Sequence, residues 1–332
     1  MEKGARRRSR DEMGRFQASG GTIRDIRASE ADRLFGSFSP PDPKELGRLE
    51  QDVYRQLKAP REAHLKLLGN GEFTIAVAHP RSAPRWACKR MPPATKDAAD
   101  RFKTSIERYR DRLESADVRV VPTSIHVIAA STGGYALYLC QPILPEHTLL
   151  PNILRERTPR EDDVVLVSVF EAIKRGTSPT LAVDGQAANW AWVGGEPWNF
   201  DISTPMLRRP DLSSEMDVSL LVQPYPGFAR PFIRRWLAPS MIERIHNLRM
   251  SLIDAAAMLI KDNLRNWLPA SAAAINRLVE EPVSVAEIEK YYANDSLLWE
   301  FAYWMKRLER RLKRLSGRTY QYLIPPPTGR FN

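Results

Sequence analysis

The sequence predicts an α+β protein of two lobes, a small antiparallel β-sheet lobe with one helix and a larger, mainly helical lobe. Between residues 68 and 142, short apolar segments alternate with glycine-containing turns, as antiparallel strands do. One amphipathic helical pattern interrupts them, and apolar residues at helical spacing recur over the last third of the chain. The 332 residues exceed one typical core. We therefore expect the small lobe over residues 46–142 and the large lobe over residues 143–332.

Residues 1–45 are predicted to form a disordered or extended basic N-terminus. They combine Gly and Ser with the cluster Arg6-Arg7-Arg8-Ser9-Arg10. The segment Met1 to Arg10 is too charged for a signal peptide, and the chain has no apolar run of about 18 residues that could cross a membrane. We therefore expect a soluble, cytoplasmic protein without a transmembrane segment.

The first predicted hairpin, from Leu68 to Val77, contains a glycine turn. Gly69 and Gly71 have no Cβ atom, so their backbone amides can approach phosphate oxygens closely. A glycine-rich loop of this kind often has a third glycine, and Thr74 occupies that position here. An ordinary hairpin turn is the alternative.

A lysine inside an apolar strand follows this hairpin. Arg85 to Met91 is predicted to be the strand, and Lys89 lies within it. The next segment, 96–115, has helical spacing of its apolar residues and carries Glu107, eighteen residues after Lys89, with Glu114 as a second acidic candidate. The alternative is that the Lys89 ammonium simply extends to solvent.

Two further strands are predicted over residues 118–130 and 135–142, joined by a tight turn at Gly133 and Gly134. Beyond a helical region come Asp184, Asn189 five positions later, and Asp201 twelve positions after that. Carboxylate and amide oxygens are ligands that Mg²⁺ accepts. A polar turn between two strands is the alternative interpretation of this spacing.

In this order, the elements resemble the protein-kinase-like superfamily over about residues 60–205. The resemblance implies an ATP-dependent phosphotransferase in which Asp184 is the catalytic base and Asn189 and Asp201 bind Mg²⁺. It also implies that Glu107 pairs with Lys89, which then holds the α- and β-phosphates. The residues that would contact the nucleotide are Gly69, Gly71, Phe73, Lys89 and, at the hinge between the lobes, Gln141.

The sequence departs from the protein-kinase pattern near these residues. Ala182-Val183 replaces the His-Arg or Tyr-Arg pair that usually precedes the catalytic Asp, and Ile202-Ser203 follows Asp201 instead of Phe-Gly. No Ala-Pro-Glu motif follows. The resemblance is therefore nearer to the aminoglycoside phosphotransferase and choline kinase-like branch, which implies a small-molecule hydroxyl as phosphate acceptor.

Two other function classes remain open. The altered Ala182-Val183 and the missing third glycine are compatible with a pseudokinase-type binding module that has a protein partner. The formal charge of +10 is compatible with a nucleic-acid or membrane-surface binder, although no nucleic-acid-binding motif is recognisable. More than half of this charge comes from residues 304–318, which contain seven Lys or Arg and one Glu.

The remaining predictions concern packing. Cys88 and Cys140 lie in predicted strands and are interpreted as core thiols, and the five scattered histidines lack ligand spacing, so no structural zinc is expected. Three tryptophans lie in or next to the predicted hairpin 191–200: Trp190, Trp192 and Trp198. They are interpreted as packing its two strands, with stacking on a substrate ring or gating of the cleft as the alternative.

The C-terminal half is predicted to be helical after a proline-punctuated stretch over residues 205–239. Helical spacing runs from Ser240 to Trp267, and residues 284–315 are expected to form at least one helix pair. The last helix is predicted to pack an apolar stripe on the large lobe and to expose its basic side. The stripe consists of Leu297, Phe301, Trp304, Leu308, Leu312 and Leu315. The prolines at 325–327 predict an extended tail.

Overall fold

The fold was analysed in a computed structural model that describes residues 30–59, 62, 64–70, 74–215 and 217–324. The predictions for residues 1–29, for Gly71 and Phe73, and for the prolines 325–327 lie outside the described residues.

Five antiparallel strands form the main sheet, in the order β1-β2-β3-β6-β5. Their pairing is antiparallel throughout, and glycines with positive φ at 133 and 134 form the turn between β5 and β6. The strands are β1 (Lys66–Asn70), β2 (Ile75–His79), β3 (Trp86–Arg90), β5 (Ser124–Ala129) and β6 (Tyr135–Pro142). The predicted strands at 85–91 and 135–142 are confirmed.

One helix covers each face of this sheet. Helix α1 (Pro43–Lys58) begins with a capping box between Asp42 and Glu45 and buries its apolar residues with Cys88 and Cys140. Helix α2 (Lys96–Ser115) spans the predicted residues and buries Phe102 and Ile106 in the larger core. Because side chains alternate along a strand, β3 directs Cys88 and Arg90 towards α1 and Lys89 to the opposite face.

A buried ion pair fixes α1 to β3. Arg90 donates two hydrogen bonds of 2.8 Å to the carboxylate of Glu50, and both side chains are almost fully buried. The hydroxyl of Tyr138 also donates to Glu50. Arg90 further donates to the backbone and side-chain oxygens of Gln321. The C-terminal segment therefore reaches back to the sheet that carries Lys89.

The second sheet has three strands, and one of them, β4 (Arg119–Val120), lies between β3 and β5 in the chain. This sheet has the order β4-β8-β7, with β4 parallel to β8 (Glu196–Asn199) and β7 (Trp190–Val193) antiparallel to it. Gly194 and Gly195 have positive φ at the predicted hairpin tip. Trp190 is fully buried, and the ring of Trp198 contacts Phe35 at 4.6 Å between centroids. Trp190 and Trp198 therefore both pack against other parts of the protein, as the sequence analysis predicts.

Helices make up most of the remaining chain. They are α3 (Leu150–Arg155), α4 (Val164–Arg175), α5 (Val218–Leu221), α6 (Arg230–Phe232), α7 (Ala238–Ile245), α8 (Leu248–Lys261), α9 (Leu268–Ile275) and α10 (Val285–Leu315). A π-helical segment, Ile233–Leu237, joins α6 to α7, and short 3₁₀ turns lie at Glu146–Thr148, Ala187–Asn189 and Arg265–Trp267.

Two helix predictions are corrected. The pattern from Ser240 to Trp267 is interrupted after Ile245, because the side chain of Asn247 accepts from the amide of Met250 and caps a new helix. The helix pair expected over 284–315 is one helix of 31 residues, α10, which contains no Gly or Pro that would divide it.

The predicted apolar stripe of the last helix does not pack on the large lobe. Leu297 is 67% exposed and Leu315 85%, and Phe301, Trp304 and Leu312 are exposed as well. The residues that α10 buries are Ile288, Met305, Lys306 and Glu309. Lys306 lies 5.5 Å from the ring of Tyr225, and Glu309 accepts from Arg230. The face that α10 buries, with two apolar and two charged residues, therefore differs from the apolar stripe that the hydrophobic pattern indicated.

The chain is an α+β protein whose five-stranded antiparallel sheet and roughly ten helices are compatible with two lobes. Cys88 and Cys140 are free, buried and opposite each other on β3 and β6, as core thiols. None of the described helices has the length and apolar content that crossing a bilayer requires.

Candidate functional site

A cavity of about 390 Å³ lies between the main sheet and the helical part of the chain. The sheet contributes Gly69, Lys89 and Gln141 to its lining. The loops around β7 and β8 contribute Asp184, Asn189 and Asp201. Every predicted site residue that the structure describes, except Glu107, lines this one cavity.

Lys89 and Asp201 are in direct contact inside the cavity. The Nζ of Lys89 lies 2.7 Å from Oδ2 of Asp201, and the two side chains are 15% and 25% exposed. The other carboxylate oxygen, Oδ1, accepts from the backbone amide and the hydroxyl of Ser203. Burial acts to raise the pKa of Asp201, but the Lys89 ammonium and these hydrogen bonds lower it below its ordinary value. Asp201 is therefore a carboxylate at neutral pH.

Asp184 is held through its backbone. Its carbonyl oxygen accepts from the indole Nε1 of Trp190 at 3.2 Å and from the amide of Asn199 at 3.5 Å. Its Oδ1 accepts from the backbone amide of Gln186, which leaves Oδ2 for other partners. Burial, and then the negative charge of Asp201, raise the pKa of Asp184 to about 6. This carboxylate can therefore exchange a proton near neutral pH.

A tyrosine connects the loop before Asp184 to the core. The hydroxyl of Tyr109, on α2, donates to the carbonyl of Ala182 at 2.8 Å and is completely enclosed. Burial and the charges of Asp184 and Asp201 raise the pKa of Tyr109 well above its ordinary value, so it stays protonated as a donor. This bond fixes the backbone two residues before Asp184.

Asn189 connects the two polar loops. It ends the 3₁₀ turn Ala187–Asn189, and its carbonyl accepts from the amide of Phe200, next to Asp201. Its side chain lines the cavity. Asn189 and Asp201 can therefore present oxygens to the same space.

The sheet forms the opposite wall. Gly69 lies at an irregularity in the pairing of β1 with β2, and a Cβ atom there would meet nothing within 4 Å. Gln141 pairs with Ala87 across β6 and β3, and its side-chain amide donates to Thr123. Thr74, at the third glycine position, also lines the cavity.

Glu107 is not part of this site. Its carboxylate is 40% exposed on α2 and lies 3.8 Å from Lys103, one helical turn earlier. The predicted pairing of Glu107 with Lys89 is therefore wrong, because Lys89 forms its ion pair with Asp201. The amphipathic pattern predicted where α2 begins and ends. It did not determine which polar side chains of α2 would point towards Lys89.

Several lining residues were not found from the sequence. They come from α8 and α10 and are Met258, Lys261, Tyr292, Ser296 and Trp299. Asp254, on α8, accepts from the hydroxyl of Tyr291 at 3.0 Å. Burial, followed by the charges of Asp184 and Asp295, raises the pKa of Asp254 to about 7. A carboxylate within the alanine-rich stretch 254–257 was the available signal for this residue.

The donors of the cavity fit a magnesium nucleotide. Among the described residues, no three His, Cys, Asp or Glu side chains are grouped so that they alone could hold a metal ion. Mg²⁺ commonly uses one or two protein oxygens together with substrate phosphates and water. Asn189 and Asp201 supply such a pair, and Lys89 supplies a cation for phosphate oxygens.

Residues 48–317 match a family model described as "Family of unknown function (DUF6206)". This match covers most of the chain. No curated protein matches the sequence.

Proposed function

We propose that this chain, which belongs to the family of unknown function DUF6206, is a kinase-like, ATP-dependent phosphotransferase that transfers the γ-phosphate to a hydroxyl of a small molecule. The observation that carries the proposal is the convergence of Lys89, Asp184, Asn189 and Asp201 in one cavity. Phosphoryl transfer depends mainly on positioning and charge neutralisation, and these four side chains supply both.

The charge and the pKa of each side chain decide its role in the proposed reaction. Lys89 neutralises phosphate oxygens, while Asn189 and Asp201 hold Mg²⁺. A bound magnesium ion would supply charge stabilisation to the phosphates. Asp184, with a pKa near 6, accepts the proton of the attacking hydroxyl. Gly69 and Gln141 line the sheet side, where the nucleotide would lie.

Binding of MgATP would change the partner of Lys89. The Lys89–Asp201 contact is direct, and phosphates and Mg²⁺ would compete for the same two groups. A Lys103–Glu107 pair on α2 leaves Glu107 outside this exchange. The ion pair is therefore interpreted as the resting arrangement of the nucleotide-binding groups.

The acceptor would enter beside α8 and α10. Ser296 and Trp299 line the cavity there, and Asp184 lines it as well. A polar hydroxyl and an indole ring suit a small molecule with both polar and apolar parts.

The first experiment is a thermal-shift titration with ATP and Mg²⁺ on the wild type, Lys89→Ala and Asp201→Ala. Ligand at a hundredfold excess over its Kd adds about 2.7 kcal/mol to the stability of the native state. We expect a magnesium-dependent rise in Tm for the wild type and its loss in both variants.

Matched controls are available on α2. Lys96 and Asp100 form an exposed ion pair of the same residue types, so Lys96→Ala and Asp100→Ala should retain the full shift. No wild-type shift at saturating nucleotide would contradict the proposal. A shift that needs nucleotide but not Mg²⁺, Lys89 or Asp201 would contradict the assigned site.

A pseudokinase-type binding module is the second candidate, because Glu107 does not pair with Lys89. It predicts the same thermal shift but no transfer of labelled phosphate from ATP to any acceptor.

A further inference from the structure

A group of large apolar side chains is exposed on two neighbouring helical segments. One segment, residues 228–241, carries Phe228, Phe232 and Trp236, of which Phe228 is 71% exposed and Trp236 67%. The other is the middle of α10, which carries Leu297, Phe301 and Trp304. Clusters of this kind are uncommon on the surface of a monomer and mark interaction sites. We call these six residues the aromatic patch.

Two contacts place the segments side by side. Arg230 donates to Glu309 at 3.3 Å, and the guanidinium of Arg244 lies 5.8 Å from the ring of Tyr291. The start of the first segment therefore contacts the later part of α10, and its end contacts the earlier part. The two segments run antiparallel. The exposed residues lie between these two contacts along the chain, apart from Phe228 just before the first, so they belong to the same pair of adjacent segments.

Arginines flank the aromatic patch on both segments, and one exposed acidic residue, Glu300, lies within its α10 part. Between Phe228 and Ile242 there is no Asp or Glu, whereas Arg234 and Arg235 are exposed beside Trp236. On α10, the exposed Arg311 and Arg314 follow Trp304. None of these four arginines forms an ion pair with a residue that the structure describes.

The arginines of α10 are crowded. Partial burial lowers the pKa of Arg310 from its ordinary value, and the positive charges of Arg314, Arg307 and Arg311 lower it further. Since an arginine remains protonated at neutral pH, this crowding is repulsion that an anionic surface would relieve.

We propose that the aromatic patch and its flanking arginines bind the surface of an anionic phospholipid membrane. Tryptophan and phenylalanine favour the boundary between headgroups and acyl chains, and arginine binds lipid phosphates. Aromatic rings contribute most when they enter an apolar layer, while arginines attract the protein to that layer. This combination favours a lipid surface over nucleic acid, for which no motif is present in the sequence. The proposal does not depend on phosphotransferase activity.

The test is co-sedimentation of the full chain with vesicles of phosphatidylcholine, with and without phosphatidylserine. We expect binding only to the phosphatidylserine vesicles, weakening as salt shortens the Debye length from about 10 Å at 0.1 M to about 3 Å at 1 M. The variants Phe232→Ser/Trp236→Ser should reduce the vesicle association constant roughly tenfold or more. Arg234→Gln/Arg235→Gln should reduce it as well and flatten its salt dependence.

Control substitutions outside the aromatic patch distinguish binding by this surface from non-specific binding to vesicles. Val164 is 57% exposed on α4, and Arg81 and Arg101 are exposed near β2 and on α2, so Val164→Ser and Arg81→Gln/Arg101→Gln should bind as the wild type does. Thermal melts confirm that all variants fold. Three outcomes would overturn the proposal: no wild-type binding to anionic vesicles, a dimer without lipid that the aromatic variant abolishes, or RNA binding that the aromatic variant retains together with undiminished sedimentation.

Discussion

Lys89 and Asp201 join the main sheet to the loop after β8, because the Nζ of Lys89 lies 2.7 Å from Oδ2 of Asp201 across the cavity. The second oxygen of Asp201 is held by Ser203. One carboxylate therefore fixes the spacing between two walls of the cavity.

Replacement of either partner should destabilise the apo protein. Lys89→Met and Asp201→Asn each remove a charged hydrogen bond, at a cost of about 1.5–3 kcal/mol in the free energy of unfolding. The double variant should cost less than the sum of the two. Urea unfolding of all four proteins measures this difference. Strict additivity would mean that the contact contributes nothing in solution.

Asp254 should make stability depend on pH. Its folded pKa of about 7 lies above its value in the unfolded chain, near 3.9, so the stability present below about pH 4 is lost as pH rises towards 7. Asp254→Asn cannot ionise and should exceed the wild type by about 2–4 kcal/mol at pH 8, with little difference at pH 4. Chemical unfolding at both pH values checks this.

For the proposed transferase, Asp184 should set the acid limb of the rate profile. With a pKa of about 6, the base is protonated below that pH, so kcat/KM should fall about tenfold per pH unit below 6 and level off above it. Asp184→Asn should lower kcat by about 10²–10⁴ and remove the limb. An acid limb that persists in the variant would assign the titration to another group.

The buried pair of Glu50 and Arg90 should be sensitive to single substitutions. Glu50→Leu or Arg90→Met leaves an unpaired buried charge and should cost about 3–5 kcal/mol in unfolding free energy. The double variant should recover much of this loss, because neither charge is then left alone. Midpoints of urea denaturation give the comparison, and a double variant as unstable as the sum would contradict it.

Gly185, next to Asp184, should not accept a side chain. A Cβ atom there would lie 2.9 Å from Cβ of Ala255 and 3.0 Å from Cδ1 of Ile173. Gly185→Ala should therefore destabilise the protein by about 1–3 kcal/mol and weaken nucleotide binding by displacing the loop. Gly47, in α1, has open space at that position, so Gly47→Ala should instead stabilise by about 0.5–1 kcal/mol. Thermal melts of both variants test the contrast.

Local pattern predicted the elements that local interactions determine. The bounds of α2 and the two glycine turns at 133–134 and 194–195 agree with the sequence analysis, since periodicity and positive φ are properties of neighbouring residues. The order of polar residues also located Lys89, Asp184, Asn189 and Asp201 well enough to expect one site, and they line one cavity.

Long-range packing determined the rest. Glu107 and Lys89 were paired by analogy, but the rotation of α2 about its axis depends on which residues the sheet buries. The stripe on α10 is apolar and regularly spaced, yet the side chains that α10 buries lie outside it: Ile288, Met305, Lys306 and Glu309. Ser296 and Trp299 reach the cavity from about a hundred residues beyond Asp201, a distance that no local pattern spans.

The uninterrupted helix α10 presents Trp299 to the cavity and Leu297 to the outer surface, only two residues apart. With no Gly or Pro between these positions, there is no hinge that would let one side move independently. A ligand that displaces the helix from inside would therefore alter the outer surface as well. The coupling free energy is the same in both directions. Binding of the outer surface of α10 to another surface would therefore change the affinity of the cavity for its ligand.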